Sequence, residues 1–210
     1  MVQLDHSSCK ENHVSSSNLA FLAAAALLIF WAVGAYNRLV RLKNIIANAF
    51  GQIDVQLKRR YDLIPNLVEA AKKYLKHELV TLEAVINARN QARSASDAVR
   101  NRPGRAEPVM ALAIAEQTLD SSLSRLFALV EAYPDLKADQ TIRELSEELT
   151  STENKVGFAR QSYNDAVLNY NKAQSQFPAL VIARLVGFGP SAMLQATQSP
   201  AEGQAVRIKL

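Results

Sequence analysis

From Ile142 to Tyr170 the apolar positions fall in alternating steps of three and four: Ile142, Leu145, Leu149, Thr152, Val156, Ala159, Tyr163, Ala166 and Tyr170. Such steps line one seam of an α-helix. A seam this long cannot be buried by its own helix. It implies knobs-into-holes packing against a neighbour at a shallow crossing angle. Thr152, Ala159 and Ala166 are small for core positions, so a neighbouring helix is expected to approach closely there.

Three more stripes precede it. The first is Leu39, Leu42, Ile46, Ala49 and Ile53. The second carries Val68, Ala71, Leu75, Leu82 and Ile86, and Asp62 is a plausible N-cap for it, with Pro65 in its first turn. An unbroken helix from Tyr36 to Ala98 would be about 90 Å long, too long for the other helices to cover, which favours a sharp turn at Asp62–Pro65. The alternative is one kinked helix, because Ile53, Leu57, Tyr61, Ile64 and Val68 keep phase across the proline. Arg100 to Pro108 reads as a linker, punctuated by Asn101, Pro103, Gly104 and Pro108. The third stripe is Ile114, Leu119, Leu123, Leu126 and Val130, and it stops before Tyr133-Pro134-Asp135. Phe177-Pro178 ends the fourth. With only 7 Gly and 7 Pro in 210 residues, the composition favours helix over sheet. The fold class is all-α: an N-terminal transmembrane helix followed by an antiparallel four-helix bundle with long helices.

The transmembrane assignment rests on Leu19 to Ala35, seventeen residues with no charged or strongly polar side chain. That is the lower limit for crossing a hydrocarbon core. Trp31 and Tyr36 stand near its far end, where interfacial aromatics are favoured. Val33-Gly34-Ala35 resembles a signal-peptide cleavage site, but the leader carries Asp5 and Glu11 against Lys10, without the basic start of a signal peptide. The reading is an uncleaved anchor. Lys10 is the one cation before the span, and Arg38, Arg41 and Lys43 follow it closely. The juxtamembrane basic residues therefore hold the body in the cytoplasm, with the short N-terminus outside. Cys9, the single cysteine, cannot form an internal disulfide and reads as a bystander.

Gln52 to Glu69 reads QIDVQLKRRYDLIPNLVE. Together with Leu129–Ala138, Glu147–Asn154 and Phe158–Val167, this run resembles the LemA family of bacterial membrane-anchored helical proteins. The resemblance begins near Tyr36 and covers most of the chain. It departs at both ends: residues 1–17 match no family pattern, and Val186 stands where the family has an aromatic before Gly187-Phe188. The resemblance implies a single-pass protein of the bacterial inner membrane, with the same orientation and no established molecular activity. The magnetosome protein MamQ is LemA-like, so an alternative role is membrane remodelling or organelle assembly.

No catalytic constellation is legible. Of three histidines only His77 lies in the body, so two Glu-x-x-His motifs for a di-iron site are impossible. No Cys–His pair for zinc and no Gly-rich phosphate loop is present. The expectation is no enzyme, no metal and no cofactor; an enzyme with an unrecognised polar site is the remaining alternative. Residues 36–105 carry 14 Lys and Arg against 6 Asp and Glu, and residues 106–210 carry 9 against 12. The two halves either complement each other across helix faces or leave a basic surface for an acidic partner. Lys58 and Arg59 are candidate partner-binding residues. Lys58 lies about 33 Å along the helix from Tyr36, beyond the reach of headgroup charge if the helix stands upright. Arg60, nearest the core stripe, is expected to pair inside the bundle with Asp165 or Glu69. Asp54, Arg60, Glu69, Glu153, Asn154, Arg160, Asn164 and Asp165 form a candidate structural polar network. Nucleic acid is not expected, since the basic run is short and lacks interleaved aromatics. The partners are the membrane itself and unidentified envelope proteins.

The expected organisation is a polar leader over residues 1–18, a transmembrane helix over 19–36, a LemA-like bundle over 37–178 and a mostly irregular tail over 179–210. Within the tail, Val206, Ile208 and Leu210 could form a short extended segment.

Overall fold

The computed structural model describes residues 16–194, with side chains from residue 18. It is all-α, with four long helices and two short ones: α1 (Ser16–Lys72), α2 (Leu79–Asn101), α3 (Ala106–Ala132), α4 (Pro134–Ala138), α5 (Gln140–Ser175) and α6 (Ala179–Val186). The Cys9 leader and the Val206–Leu210 segment lie outside the described residues.

Helix α1 is 57 residues long, about 86 Å. Its first third is bare. Leu22, Leu28 and Phe30 are each exposed, as a segment meant for lipid must be. It is the one described helix long and apolar enough to cross a membrane, which is consistent with membrane association. From Leu39 onward one side enters the core through Ile46, Phe50, Ile53, Leu57, Tyr61, Ile64 and Leu67.

The sharp turn expected at Asp62–Pro65 does not occur there. Helix α1 runs through Pro65, and the chain reverses at residues 73–78 instead, around buried Leu75. A proline inside a helix removes one N–H and so orphans the carbonyl four residues back. That carbonyl belongs to Tyr61, and Arg89 of α2 donates its Nε–H to it at 2.9 Å. The missing helical bond is thus replaced from a neighbouring helix. Asp62, proposed as an N-cap, is exposed on the helix surface, 3.8 Å from Arg89 Nη2. The length objection also dissolves. Only Leu39–Lys72, about 51 Å, needs covering, and α5 with 36 residues is about 54 Å long.

The core is one cluster in which every long helix takes part. Helix α5 packs mainly on α1, α2 packs on both α3 and α1, and α6 contacts α1 and α5. Along the α1–α5 seam, Phe50 meets Tyr163 edge-on at 6.1 Å between ring centroids, and Arg59 meets Glu148. Residue numbers therefore rise along α1 as they fall along α5. The α5 stripe is buried at Ile142, Leu149, Thr152, Val156, Tyr163, Ala166 and Tyr170, with Leu145 and Ala159 half-buried against it. In α3 the expectation fails at one place. Ile114 is 63% exposed, and the buried row is Val109, Leu112, Glu116, Leu119, Leu123, Leu126 and Val130. The row keeps a strict three–four alternation, and a glutamate occupies the place that apolar counting assigned to Ile114.

Helix α5 starts at Asp139, whose carboxylate accepts from the backbone N–H of Ile142 at 3.2 Å. Within the tail expected to be mostly irregular, Ala179–Val186 is helical and Gly187 ends it in the left-handed conformation. Residues 188–194 then run without regular structure along α5. Five α5 side chains hold their backbone. Gln174 donates to Phe188 O, Tyr170 to Gly189 O and Tyr163 to Ala192 O, each at 3.0 Å. Asn171 brackets Ser191, donating to its carbonyl at 2.9 Å and accepting from its N–H at 2.8 Å. Asn164 does the same for Leu194, at 3.0 and 2.9 Å. The two asparagines are one heptad apart, about 10.5 Å, and three extended residues cover about 10 Å, so the two repeats match. On the far side Ala192 N donates to Gly104 O at 2.9 Å. Gly104 has φ +79°, and a Cβ there would lie 2.8 Å from Ser191 Oγ, so any other residue would be strained and would push Ser191 aside.

Candidate functional site

Arg60 stands at the centre of the body, with 5% of its side chain exposed. Phe50 is level with Tyr163, so ten residues further along α1 and ten back along α5 bring Arg60 level with Glu153. Nη1 lies 2.9 Å from Glu116 Oε2 and 2.8 Å from Glu153 Oε2, and Nη2 bonds Asp120. One guanidinium thereby ties α1 to α3 and α5. The neighbouring Tyr61 donates its hydroxyl to the other oxygen of Glu116. The expected partners, Asp165 and Glu69, are not used. Both are exposed, and Glu69 sits nine residues further along the same helix, about 13 Å away.

The electrostatics follow from burial. Desolvation opposes the charge on Arg60, but Glu153, Glu116 and Asp120 together outweigh it and hold its pKa above the ordinary value. Burial pushes Glu116 upward against the pull of Arg60 and the Tyr61 hydrogen bond. Burial and the adjacent Glu116 carboxylate push the Tyr61 phenol upward. Glu116 is as dry as Arg60, with 6% of its side chain exposed, whereas Asp120 and Glu153 are 40% and 42% exposed. The wetter pair faces a cleft of about 290 Å³ lined with Leu123, Phe127, Leu149, Thr150 and Asn154.

The other sequence-derived candidates occupy separate places. Lys58 turns back to Asp54 at 2.7 Å, and buried Asp54 also accepts from Ser96 Oγ of α2 at 3.2 Å. Arg59 bonds Glu148 of α5 through Nε at 3.0 Å. Both cations, expected to be free for a partner, thus have carboxylates of their own chain, while their side chains stay 46% and 56% exposed. Asn154 is exposed beside the Arg60 cleft, and Glu69 edges another cleft with Pro65 and Leu82. Arg160 is half-buried, and its Nε has no partner among the described residues. Asn164 belongs to the clamp on residues 188–194, and Asp165 faces solvent. Arg38, Arg41 and Lys43 are exposed just beyond the apolar run, with Lys43 Nζ 5.5 Å from the Phe188 ring centre. Of the candidate network, Arg60 with Glu153, Asp54 and Asn164 fall into three separate sets, and Glu69, Asn154, Arg160 and Asp165 join none of them.

Sequence reading passed over Glu116, Asp120, Ser96 and Arg89. For Glu116 the signal was present: the α3 phase from Val109 to Val130 places a charged residue at a core position, which demands a buried partner. No such local signal marks Arg89, whose acceptor is a backbone carbonyl on another helix.

The arrangement can lock three helices together and keep a hydrated polar cleft. Among the described residues no group of three or more His, Cys, Asp or Glu is placed to hold a metal ion. The space between the three carboxylates is filled by Arg60 itself.

On the α1–α5 seam opposite this cleft lies another of about 640 Å³, lined by Ile45, Asn48, Gln52 and Gln56 from α1 and Lys155, Phe158 and Ser162 from α5. Phe158 is 75% exposed in it.

The LemA family model matches residues 49–210. The chain is 25% identical over 180 residues to Protein LemA of Metamycoplasma hominis, an alignment covering 86% of this chain and 78% of that protein. It is 30% identical over 78 residues to the magnetosome protein MamQ of Magnetospirillum gryphiswaldense, covering 37% of this chain and 29% of that one. Magnetosome protein MamQ 2 of Paramagnetospirillum magneticum is 31% identical over a 78-residue stretch.

Proposed function

This chain belongs to the LemA family, and we propose that it is a membrane-anchored helical scaffold that binds or organises other envelope proteins without catalysing a reaction. The observation that carries the proposal is the continuity of α1: one helix leads from bare apolar surface straight into the packed core. A body mounted in this way moves with its anchor as one rigid piece. In this reading residues 19–36 cross the bacterial inner membrane once, with residues 1–18 outside. Residues 37–178 form an antiparallel four-helix bundle in the cytoplasm, and 179–210 form its tail. The Arg60, Asp54 and Asn164 sets are structural.

The partner surface is the Phe158 cleft, with the Arg59–Glu148 pair at its end. Exposed aromatic side chains ringed by amides and charges are what protein interfaces use as anchors. Supporting this choice, Phe158 has no packing role of its own, being exposed on the helix that carries the most regular core stripe. Membrane remodelling, the second reading, rests on the magnetosome relatives, whose likeness covers 37% of the chain.

Affinity capture of the full chain from its own membranes, read by quantitative mass spectrometry, tests the proposal. Phe158→Asp and Arg59→Ala should each lower the yield of co-captured proteins while leaving helicity unchanged, since both side chains are exposed. Undiminished capture by both variants would refute the surface.

A further inference from the structure

Helix α6 is exposed in a way that a water-facing helix is not. Its sequence, ALVIARLV, has one polar residue, Arg184, and only Ala183 is buried. Val181 is 46% exposed, Leu185 78% and Val186 53%, and Phe177 just ahead of it is 83% exposed. Its height in the molecule can be worked out. Ser175, the last residue of α5, lies twelve residues beyond Tyr163, and Arg38 lies twelve residues before Phe50 on α1. At the helical rise, both stand about 18 Å from the Phe50–Tyr163 contact. Phe177, in the turn just after α5, therefore starts α6 near the level of Arg38, where the apolar run of α1 ends. Phe188 fixes the other end of α6 at the same height, its ring 5.8 Å from that of Tyr36.

The charges at this level have one sign. From Tyr36 to Ile53 and from Ala166 to Leu194 the chain has no Asp or Glu. Arg38, Arg41, Lys43, Lys172 and Arg184 are all exposed there. Nor is α6 free to swing away. The backbone that follows it is gripped by Gln174, Tyr170 and Asn171.

We propose that Phe177 and α6 form a second membrane contact, lying in the boundary between headgroups and acyl chains of the bilayer that α1 crosses. Anionic lipid phosphates would be met by Arg184 together with Arg38, Arg41 and Lys43. Apolar side chains beside cations at headgroup height are what an interfacial helix needs. The proposal rests on the anchor reading. Its consequence is mechanical: one rod through the membrane leaves the body free to tilt, and a second contact beside it sets the tilt and keeps the Lys58–Arg59 region clear of the lipid.

The test uses the full chain with Cys9→Ser and a single nitroxide-labelled cysteine, in vesicles of phosphatidylcholine with phosphatidylglycerol. Labels go at Leu185, at Leu28 in the anchor and at Phe158 on the body. Collisions with oxygen report lipid, and collisions with a water-soluble nickel chelate report water. The oxygen-to-nickel ratio at Leu185 should approach that at Leu28 and exceed that at Phe158 several-fold. It should fall in vesicles of phosphatidylcholine alone. If the Leu185 label matches the Phe158 label while the Leu28 label stays in lipid, the second contact is overturned and the anchor stands. Nickel access at both Leu185 and Leu28 overturns both. Protection of the Leu185 label from both reagents, with spin–spin broadening, would show a second copy covering α6 and would overturn the lipid assignment. An unchanged ratio without phosphatidylglycerol removes the anionic-lipid part.

Discussion

Replacing Arg60 by methionine keeps an unbranched apolar stem, two atoms shorter, and removes the charge. The three carboxylates do not suffer equally. Asp120 and Glu153 are 40% and 42% exposed and can turn to water. Glu116, with 6% of its side chain exposed, cannot, and keeps only the Tyr61 hydroxyl. A buried ion stripped of its partner costs about 3–5 kcal/mol, and one stranded carboxylate places Arg60→Met in that range at neutral pH. The pH dependence follows from linkage. Burial already raises the folded-state pKa of Glu116, and loss of Arg60 raises it further, while the unfolded value is unchanged. The folded state then holds the extra proton in the window between those values. Stability of the variant should therefore fall as pH rises through that window, and its deficit against the parent should be largest at neutral pH and shrink on acidification. Adding Glu116→Gln should recover part of the loss, because no buried charge remains. Urea unfolding of the full chain in mild detergent, followed by circular dichroism across pH, measures all three. A deficit below about 1 kcal/mol, or one that does not change with pH, would refute the reasoning.

Arg89→Ala should cost about 1–3 kcal/mol by orphaning the Tyr61 carbonyl, and Pro65→Ala in that background should restore most of it by supplying the helical N–H; a cycle without coupling would refute the rescue. Gly104→Ala should loosen residues 188–194, seen as faster amide exchange at Ser191, Ala192 and Leu194 with the rest of the body unchanged, since its φ of +79° and the nearby Ser191 both resist a side chain. Leu149→Ala should cost about 2–5 kcal/mol and Ile114→Ala within about 0.5 kcal/mol, by the same unfolding assay, because the first is buried and the second faces water.

The parts of the fold legible in the sequence were those set by periodicity within one helix. The α5 seam, the α1 stripe from Leu39 to Ile64 and the stop at Tyr133-Pro134 all depend on residues a few positions apart. What depended on distant residues was not legible. Pro65 reads as a break until Arg89 is known to stand beside it. Arg60 is recognisable as an inward cation, but its partners are fixed by which helices come level with it. The α3 difference has a local cause: apolar spacing alone points to Ile114, whereas the three–four phase from Val109 to Val130 points to Glu116. Asn164 and Asn171, one heptad apart on α5, are a repeat that could have been noticed. Their acceptors lie in a segment with no pattern of its own.

The central claim is that the anchor and the first helix of the body are one uncut rod. Nitroxide labels at Leu22→Cys and Val55→Cys, both exposed positions, in the full chain carrying Cys9→Ser and reconstituted in vesicles, test it by pulsed dipolar spectroscopy. A continuous helix predicts a narrow distance distribution centred at about 50 Å. A broad or markedly shorter distribution would contradict a rigid rod, and loss of the Leu22 label from the mature chain would show that the apolar run is cleaved.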